Sequence, residues 1–457
     1  MSWSFSFGTH ELKILPHAFA DDNAYFSNRD EALMFGYFEH GGETVFTCLS
    51  RDIVVHETAH ALLDALKPDY SRPSSPDQAA FHEGYADAIA LLSVLSAEEF
   101  LLHQLKRSGK VAESGTAMLP ALMASLTADS FLFGLGEQFG VATESMARNA
   151  LRRSLEIAPG PNAYARAPEE PHDRGEYLVA PILVAFLEVW KRRLRPSASS
   201  PFAVKSQRVE AWRVAEEGAT AAAHLLRMII RALDYLPPAH VTFRDFLSAF
   251  LTADVEACPD DTRYGYRAEI LAAFAAYGIG PESKAPNGCW EPPPEKLDYS
   301  AVRIDGLRSD RETAARFLYD NAGALGLCEH ALTVVKDVRP VTRVGADGFV
   351  LRETVAEYYQ TIYVMPAEMK PLLGLKPLKD LPPDERIGVH GGGSLIFNEG
   401  GRLKYHVRNR IDSPRQRGRI AYLAVHEGGE GRGARRFARL HRLRALGANA
   451  DSVQSWP

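Results

Sequence analysis

The sequence predicts an α+β fold, and three observations carry that prediction. The first fifty residues read as short strands, the stretch from 53 to 282 reads as one helix after another, and a Pro-rich break at 285–297 leads into a more strand-like composition. With 457 residues, 46% hydrophobic and 24% charged, the chain is long enough for two folded units, each with its own core.

The elements follow in order. LMFGYF and ETVFTCL are aromatic and β-branched runs separated by a His-Gly-Gly turn at 40–42, the pattern of a hairpin. From Ile53 to Leu66 the apolar residues Ile53, Val54, Ala61, Leu62 and Ala65 fall at helical spacing, and Pro68 stops the run. The polar break SRPSSPDQ at 71–78 precedes a second helix from Ala79 to Leu95. Further helices are expected at 178–194, 209–235, 243–254 and 265–277. Beyond the Pro-rich segment, 394–411 reads as a hairpin around Gly400 and Gly401. The expected organisation is an N-terminal lobe over about 1–100, a helical lobe over 101–282, a linker at 283–300 and an appended α+β domain at 301–457.

Composition narrows the function. A net charge of −6 gives no reason to expect a nucleic-acid partner. The four cysteines, Cys48, Cys258, Cys289 and Cys328, are far apart and form no CxxC, as reduced thiols of a cytosolic protein would be. The first residues lack a basic segment followed by an apolar core, and no run of 18 apolar residues occurs. The expectation is a soluble, cytoplasmic protein with no membrane partner.

The segment VVHETAHALLD carries the chemistry. His56 and His60 stand at i and i+4, one helical turn apart on one face, where two imidazoles can bind one Zn²⁺ from the same side. Glu57 is one residue along, placed beside a metal rather than on it, where a carboxylate can take a proton from water. The second helix opens FHEGYADAIALL, with Glu83 and Asp87 again at i and i+4 among apolar neighbours. A catalytic zinc takes three protein ligands and leaves one position open, so Glu83 is the expected third ligand. Asp87 is expected to accept the free N–H of a ligating histidine, and His82 to stand behind the ligands rather than among them.

These residues resemble the thermolysin family of gluzincin metallopeptidases. Asn23-Ala24-Tyr25, Met34-Phe35-Gly36 and Asp52 before the HExxH motif follow that family's order. The resemblance runs from about residue 20 to 280 and implies a two-lobed zinc endopeptidase: a small N-terminal sheet with the HExxH helix, then a helical lobe. It implies that Asn23 and Ala24 lie on an edge strand that holds peptide substrate by backbone pairing. It implies that Asp87 orients His56. Leu-Arg-Arg-Ser at 151–154 resembles the segment bearing a substrate-binding arginine, here Arg152. Pro-His-Asp-Arg-Gly at 171–175 resembles the segment bearing a histidine that donates to the oxyanion, here His172, and Tyr70 matches a tyrosine of the same role.

The chain also departs from that family. His60 and Glu83 are separated by 22 residues, slightly more than usual. His82 replaces an asparagine, and Glu169 or Glu170 must stand in for the acidic partner of His172. An apolar helical insertion at 100–150 replaces a calcium-binding stretch, which suggests an intracellular relative that needs no calcium. A zinc aminopeptidase is the nearest alternative, although no GxMEN-like stretch occurs; an inactive gluzincin-fold scaffold is the other. Residues 301–457 are expected to tune access or dock a regulatory protein, and to pack on the catalytic unit rather than swing freely, because the Pro-rich linker is short and semi-rigid; a chain ending near Glu282 is expected to keep the site. The Arg-rich stretch at 432–447 reads as an amphipathic helix, and Gly391–Gly393 as a strand turn.

Overall fold

The computed structural model describes residues 11–127, 157–198, 207–293 and, with a few short breaks, 296–426. Arg152 and the Arg-rich stretch at 432–447 lie outside the described residues.

Strands β1 (Lys13–Ala20), β2 (Ala24–Ser27), β3 (Ala32–His40) and β4 (Glu43–Phe46) form the first sheet. β3 is its centre. β1 runs parallel to β3, while β2 pairs antiparallel with its first half and β4 with its second. The β3–β4 turn is the expected one, with Gly41 and Gly42 at φ 63 and 86, a conformation that glycine adopts without steric cost. β2 has a strand neighbour on one side only and is an edge.

Helix α1 (Arg51–Leu66) follows the sheet, and a 3-10 turn at Pro68–Ser71 leads to α2 (Pro76–Leu95). α2 begins three residues before the apolar periodicity suggests. The Ser75 side chain accepts the Gln78 N–H, and Pro76 occupies the first helical turn, where its missing N–H costs nothing. Then come α3 (Glu98–Arg107), a two-stranded ribbon of β5 (Thr116–Met118) and β6 (Arg208–Glu210), α4 (Pro171–Ala198), α5 (Ala211–Ala232), α6 (Phe243–Ala257) and α7 (Tyr266–Ala276). α2 is the hub of this layer, packed on α1, α4 and α5. Where α2 meets α4, Gly84 faces Gly175: a Cβ on Gly84 would stand 2.6 Å from the Gly175 carbonyl oxygen. Two glycines thus let these backbones approach more closely than any side chain permits. Among the described residues, no single helix is long and apolar enough to cross a membrane. All four cysteines are free.

The C-terminal part contains α8 (Arg311–Asp320), an antiparallel sheet in the order β10-β9-β8-β7, and α9 (Gln416–His426). The strands are β7 (Leu332–Val344), β8 (Val350–Val364), β9 (Ile387–Asn398) and β10 (Leu403–Asn409). β9 and β10 form the expected hairpin, and Gly391–Gly393 lie within β9 rather than at a turn. Alternate residues of β8 and β9 serve two cores. Val355 and Ile396 join the core of the helical layer, while Ala356, Tyr358, Leu395 and Phe397 pack with Phe317 of α8.

The C-terminal strands contribute Val355, Ile396 and Val407 to the helical core, so this region is docked as expected. Cys289 and Trp290, in the expected linker, pack against the helical core, and the Trp290 indole N–H donates to the Tyr235 carbonyl at 2.9 Å. The buried segment 236–240 is fastened from both sides. The Leu236 carbonyl accepts from Lys67 Nζ (3.0 Å) and Ser394 Oγ (2.7 Å), the Pro237 carbonyl from Tyr70 (2.6 Å), and the Pro238 carbonyl from Tyr359 (3.2 Å). Lys67, at the end of α1 and 0% exposed, pairs with Glu357 of β8 at 2.6 Å. Arg339 reaches Glu357 at 3.0 Å and Asp234 at 3.4 Å. Burial alone would raise the Glu357 carboxyl, but Lys67 and Arg339 hold it below its ordinary value.

A chain ending near Glu282 removes Glu357 and Ser394 and uncovers the core around Leu236. It should express as aggregated or metal-poor protein. A soluble, fully metal-loaded truncation with an unchanged unfolding temperature would contradict this. In the full chain, Lys67→Ala should destabilise by about 3 kcal/mol, the low end for breaking a buried pair, because Arg339 remains on Glu357; thermal or denaturant unfolding measures it.

Candidate metal centre

α1 and α2 cross so that the histidines of the first face Glu83 of the second. The Nε2 atoms of His56 and His60 are 2.9 Å apart, and Glu83 Oε2 lies 3.8 Å from one and 3.6 Å from the other. One donor atom from each residue falls within 4.8 Å of the other two, so the three could hold a single metal ion. Among the described residues this is the one such group. His60 and Glu83 are buried, whereas the His56 side chain is 19% exposed and opens the site to solvent.

The residues behind the donors fix their orientation. Asp87 Oδ1 is 2.8 Å from His56 Nδ1, and His82 Nδ1 is 3.0 Å from His60 Nδ1. Binding one cation through both Nε2 atoms requires each ring to carry its proton on Nδ1, where His56 faces the Asp87 carboxylate and His60 faces His82. Both residues stand where the sequence reading puts them. The pocket is strongly electronegative. Burial works against a charged His56, but Asp87, then Glu57 and Glu83, outweigh it and push the ring up to about 10. A cation in the pocket would answer the same field.

Glu57 is 2% exposed and does not join the donor set. Its Oε2 accepts the Phe26 backbone N–H at 2.8 Å. Because that N–H points away from β3, the alternation of a strand turns the Ala24 peptide groups outward as well. The Ala24 N–H is taken by the Asn23 side chain at 2.8 Å. Asn23 and Ala24 thus lie at the edge strand nearest the Glu57 carboxylate.

His172 comes to the centre from α4. Its Nε2 is 3.4 Å from Glu83 Oε2, and its Nδ1 is 3.1 Å from Glu170 Oε1. Glu170, not Glu169, is the acidic partner, and its other oxygen accepts the Asp173 N–H at 2.8 Å. His172 remains outside the set of three donors.

Tyr70 corrects an expectation. It is 0% exposed, stacks edge-on against Phe81 at 5.6 Å and gives its hydroxyl proton to the Pro237 carbonyl. A core tyrosine holding the 236–240 segment has no donor left for an oxyanion. The sequence reading also missed the Phe26 N–H, which no side-chain pattern reveals, and the Gly84–Gly175 contact. Each of those glycines follows a functional residue within three positions, and that was the available signal. No family model, curated protein or solved structure matches the chain.

His82→Leu should weaken metal binding by about 10–100-fold by leaving the His60 ring unoriented, with the fold intact. His82→Asn, which can still accept from Nδ1, should recover most of it. Competition with a chelator measures both; equal affinity in all three proteins would show that His82 does not orient His60.

Proposed function

We propose that this chain is a zinc-dependent endopeptidase with a thermolysin-like, two-lobed catalytic unit, acting in the cytoplasm. One observation carries the reading: two imidazoles and a carboxylate converge on a point beside a separate carboxylate held at a strand edge. Donors about 2.0–2.2 Å from a tetrahedral zinc are roughly 3.3–3.6 Å from one another. The separations here, 2.9, 3.6 and 3.8 Å, bracket that range. Two nitrogens and one carboxylate oxygen are also a donor set typical of catalytic zinc, with a fourth position left for water or substrate. Bound zinc would supply Lewis acidity, activating water at neutral pH and polarising a carbonyl.

The chain's own residues divide the remaining work. Glu57 accepts the proton of the attacking water and delivers it to the departing amine. An extended peptide lies along the outer edge of β2, donating to the outward carbonyls of Ala24 and Phe26, whose own N–H groups are held by Asn23 and Glu57. His172, oriented by Glu170, donates from Nε2 to the oxyanion; losing such a donor costs on the order of 10²–10³ in rate. Burial of Glu57, His60 and Glu83 excludes bulk water from the donor side, and the more exposed His56 and His172 mark the open side.

Purified protein should carry about one zinc per chain, and His60→Ala should lose most of it; full occupancy in that variant would sink the metal assignment. Glu57→Gln should keep zinc and fold but cut cleavage of internally quenched peptides by several orders of magnitude. Near wild-type turnover by that variant would remove Glu57 as the base. Products with new internal termini, identified by mass spectrometry, separate an endopeptidase from an aminopeptidase.

A further inference from the structure

His172 meets Glu83 only if the first turn of α4 is held in one position over α2. Glu170 orients the ring but belongs to the same segment, so it cannot supply that hold. Contacts between the first turn of α4 and α2 include the following. His172 lies by Glu83, Gly175 sits on Gly84 and the Ala80 carbonyl, and Arg174 reaches Asp77 in the first turn of α2. The first is the contact to be explained, and the glycine contact sets the spacing of the two backbones. Apolar packing along the two helices holds them together further on, from Leu178 onward. At the first turn itself, Arg174 adds a directional tie.

The guanidinium is used on all sides. Nε and Nη2 lie 2.7 and 2.6 Å from Asp77 Oδ1. Nη1 donates to the carbonyls of Ala167 (3.1 Å) and Pro168 (3.3 Å). The Tyr164 ring stands 5.1 Å from Cζ, and its hydroxyl donates to the other Asp77 oxygen. One largely buried cation therefore ties α2, the 164–168 segment and the start of α4 together. Its planar fork does this in a way an ammonium cannot. Arg174 is not itself one of the three donors.

We propose that Arg174, through Asp77, is a positioning residue for the reaction: it fixes the first turn of α4 so that the His172 imidazole stays at the metal centre. The inference rests on the peptidase reading for its effect on rate, but the placement of His172 is testable without it.

The test uses the full-length, zinc-loaded protein with Arg174→Ala, Arg174→Lys, His172→Ala and the double variant Arg174→Ala/His172→Ala. With internally quenched peptides, Arg174→Ala should lower kcat about 10–100-fold with little change in KM or zinc affinity, as expected for a loss felt in the transition state. Arg174→Lys should recover part of it, and the double variant should be no slower than His172→Ala alone. Independently of activity, diethyl pyrocarbonate should acylate His172 several-fold faster in Arg174→Ala, read by mass spectrometry. If Arg174→Ala does not fold, Arg174→Lys must show both changes in the same direction. An unchanged acylation rate, or a rate loss equally large in the His172→Ala background, overturns the proposal. If no protein cleaves peptides yet acylation rises as expected, the peptidase reading fails and the positioning role stands.

Discussion

The buried pair between Lys67 and Glu357 is the constraint on which the rest of the architecture depends. α1 carries His56, Glu57 and His60 on consecutive turns, and it ends at the residue before Lys67. An unpaired ammonium in that position would be among the most costly groups to bury, so the helix end can occupy it only with Glu357 and the Leu236 carbonyl in place. Glu357 in turn lies on β8 and is shared with Arg339, whose other contacts include Asp234 of the helical layer. The network continues through Arg343 to Glu353 and from there to Lys404. The metal-bearing helix, the helical layer and the C-terminal sheet are thereby fastened at one junction. A domain boundary drawn at the Pro-rich segment separates residues that cannot be desolvated apart.

That coupling explains what was legible in the sequence and what was not. His56 and His60 were legible because their geometry is local: i and i+4 on one helix need no knowledge of the fold. Glu83 and Asp87 repeat that spacing on α2, but their meeting with the histidines depends on the helix crossing and was read from the number of ligands a metal takes and from the resemblance. The docking of the C-terminal region was expected from its short linker, but the strand β8 that makes the shared core was not legible. Residues Glu353–Tyr358 of β8 are buried in an unbroken run, because one face meets the helical layer and the other meets α8. Burial on both faces erases the alternation that marks a strand. Tyr70 failed in a different way. Its distance along the chain from His60 suggests a catalytic donor, but the 3-10 turn at Pro68–Ser71 turns it into the core, where a carbonyl of the distant 236–240 segment takes its proton.

The centre stores electrostatic free energy in place of packing. Glu57, Glu83 and Asp87 surround His56 closely enough to raise it far above an ordinary histidine, against the effect of burial. Concentrating carboxylates in a buried pocket opposes folding. A divalent cation would relieve that repulsion, so metal binding and local stability are linked. The polar environment is arranged accordingly: Asp87 and His82 face the outer nitrogens of the two rings, so the inner nitrogens are the ones a cation would take in place of a proton.

The geometry of the centre does not depend on any one spacing or residue type. The 22 residues between His60 and Glu83 pass through the 3-10 turn and the Ser75–Pro76 start of α2, which deliver Glu83 within 4 Å of both histidines. An imidazole at position 82 accepts from His60 Nδ1 as an amide oxygen would, at the cost of fixing its own proton on the other ring nitrogen. Glu170 reaches His172 from within the helix start, and it also accepts the Asp173 N–H, so one carboxylate both caps α4 and orients the imidazole. In each case the donor atom is brought within reach by its own local backbone. What is constrained at this centre is the position of a lone pair or a proton, and a chain can satisfy that constraint with different parts provided the helix crossing that delivers them is held.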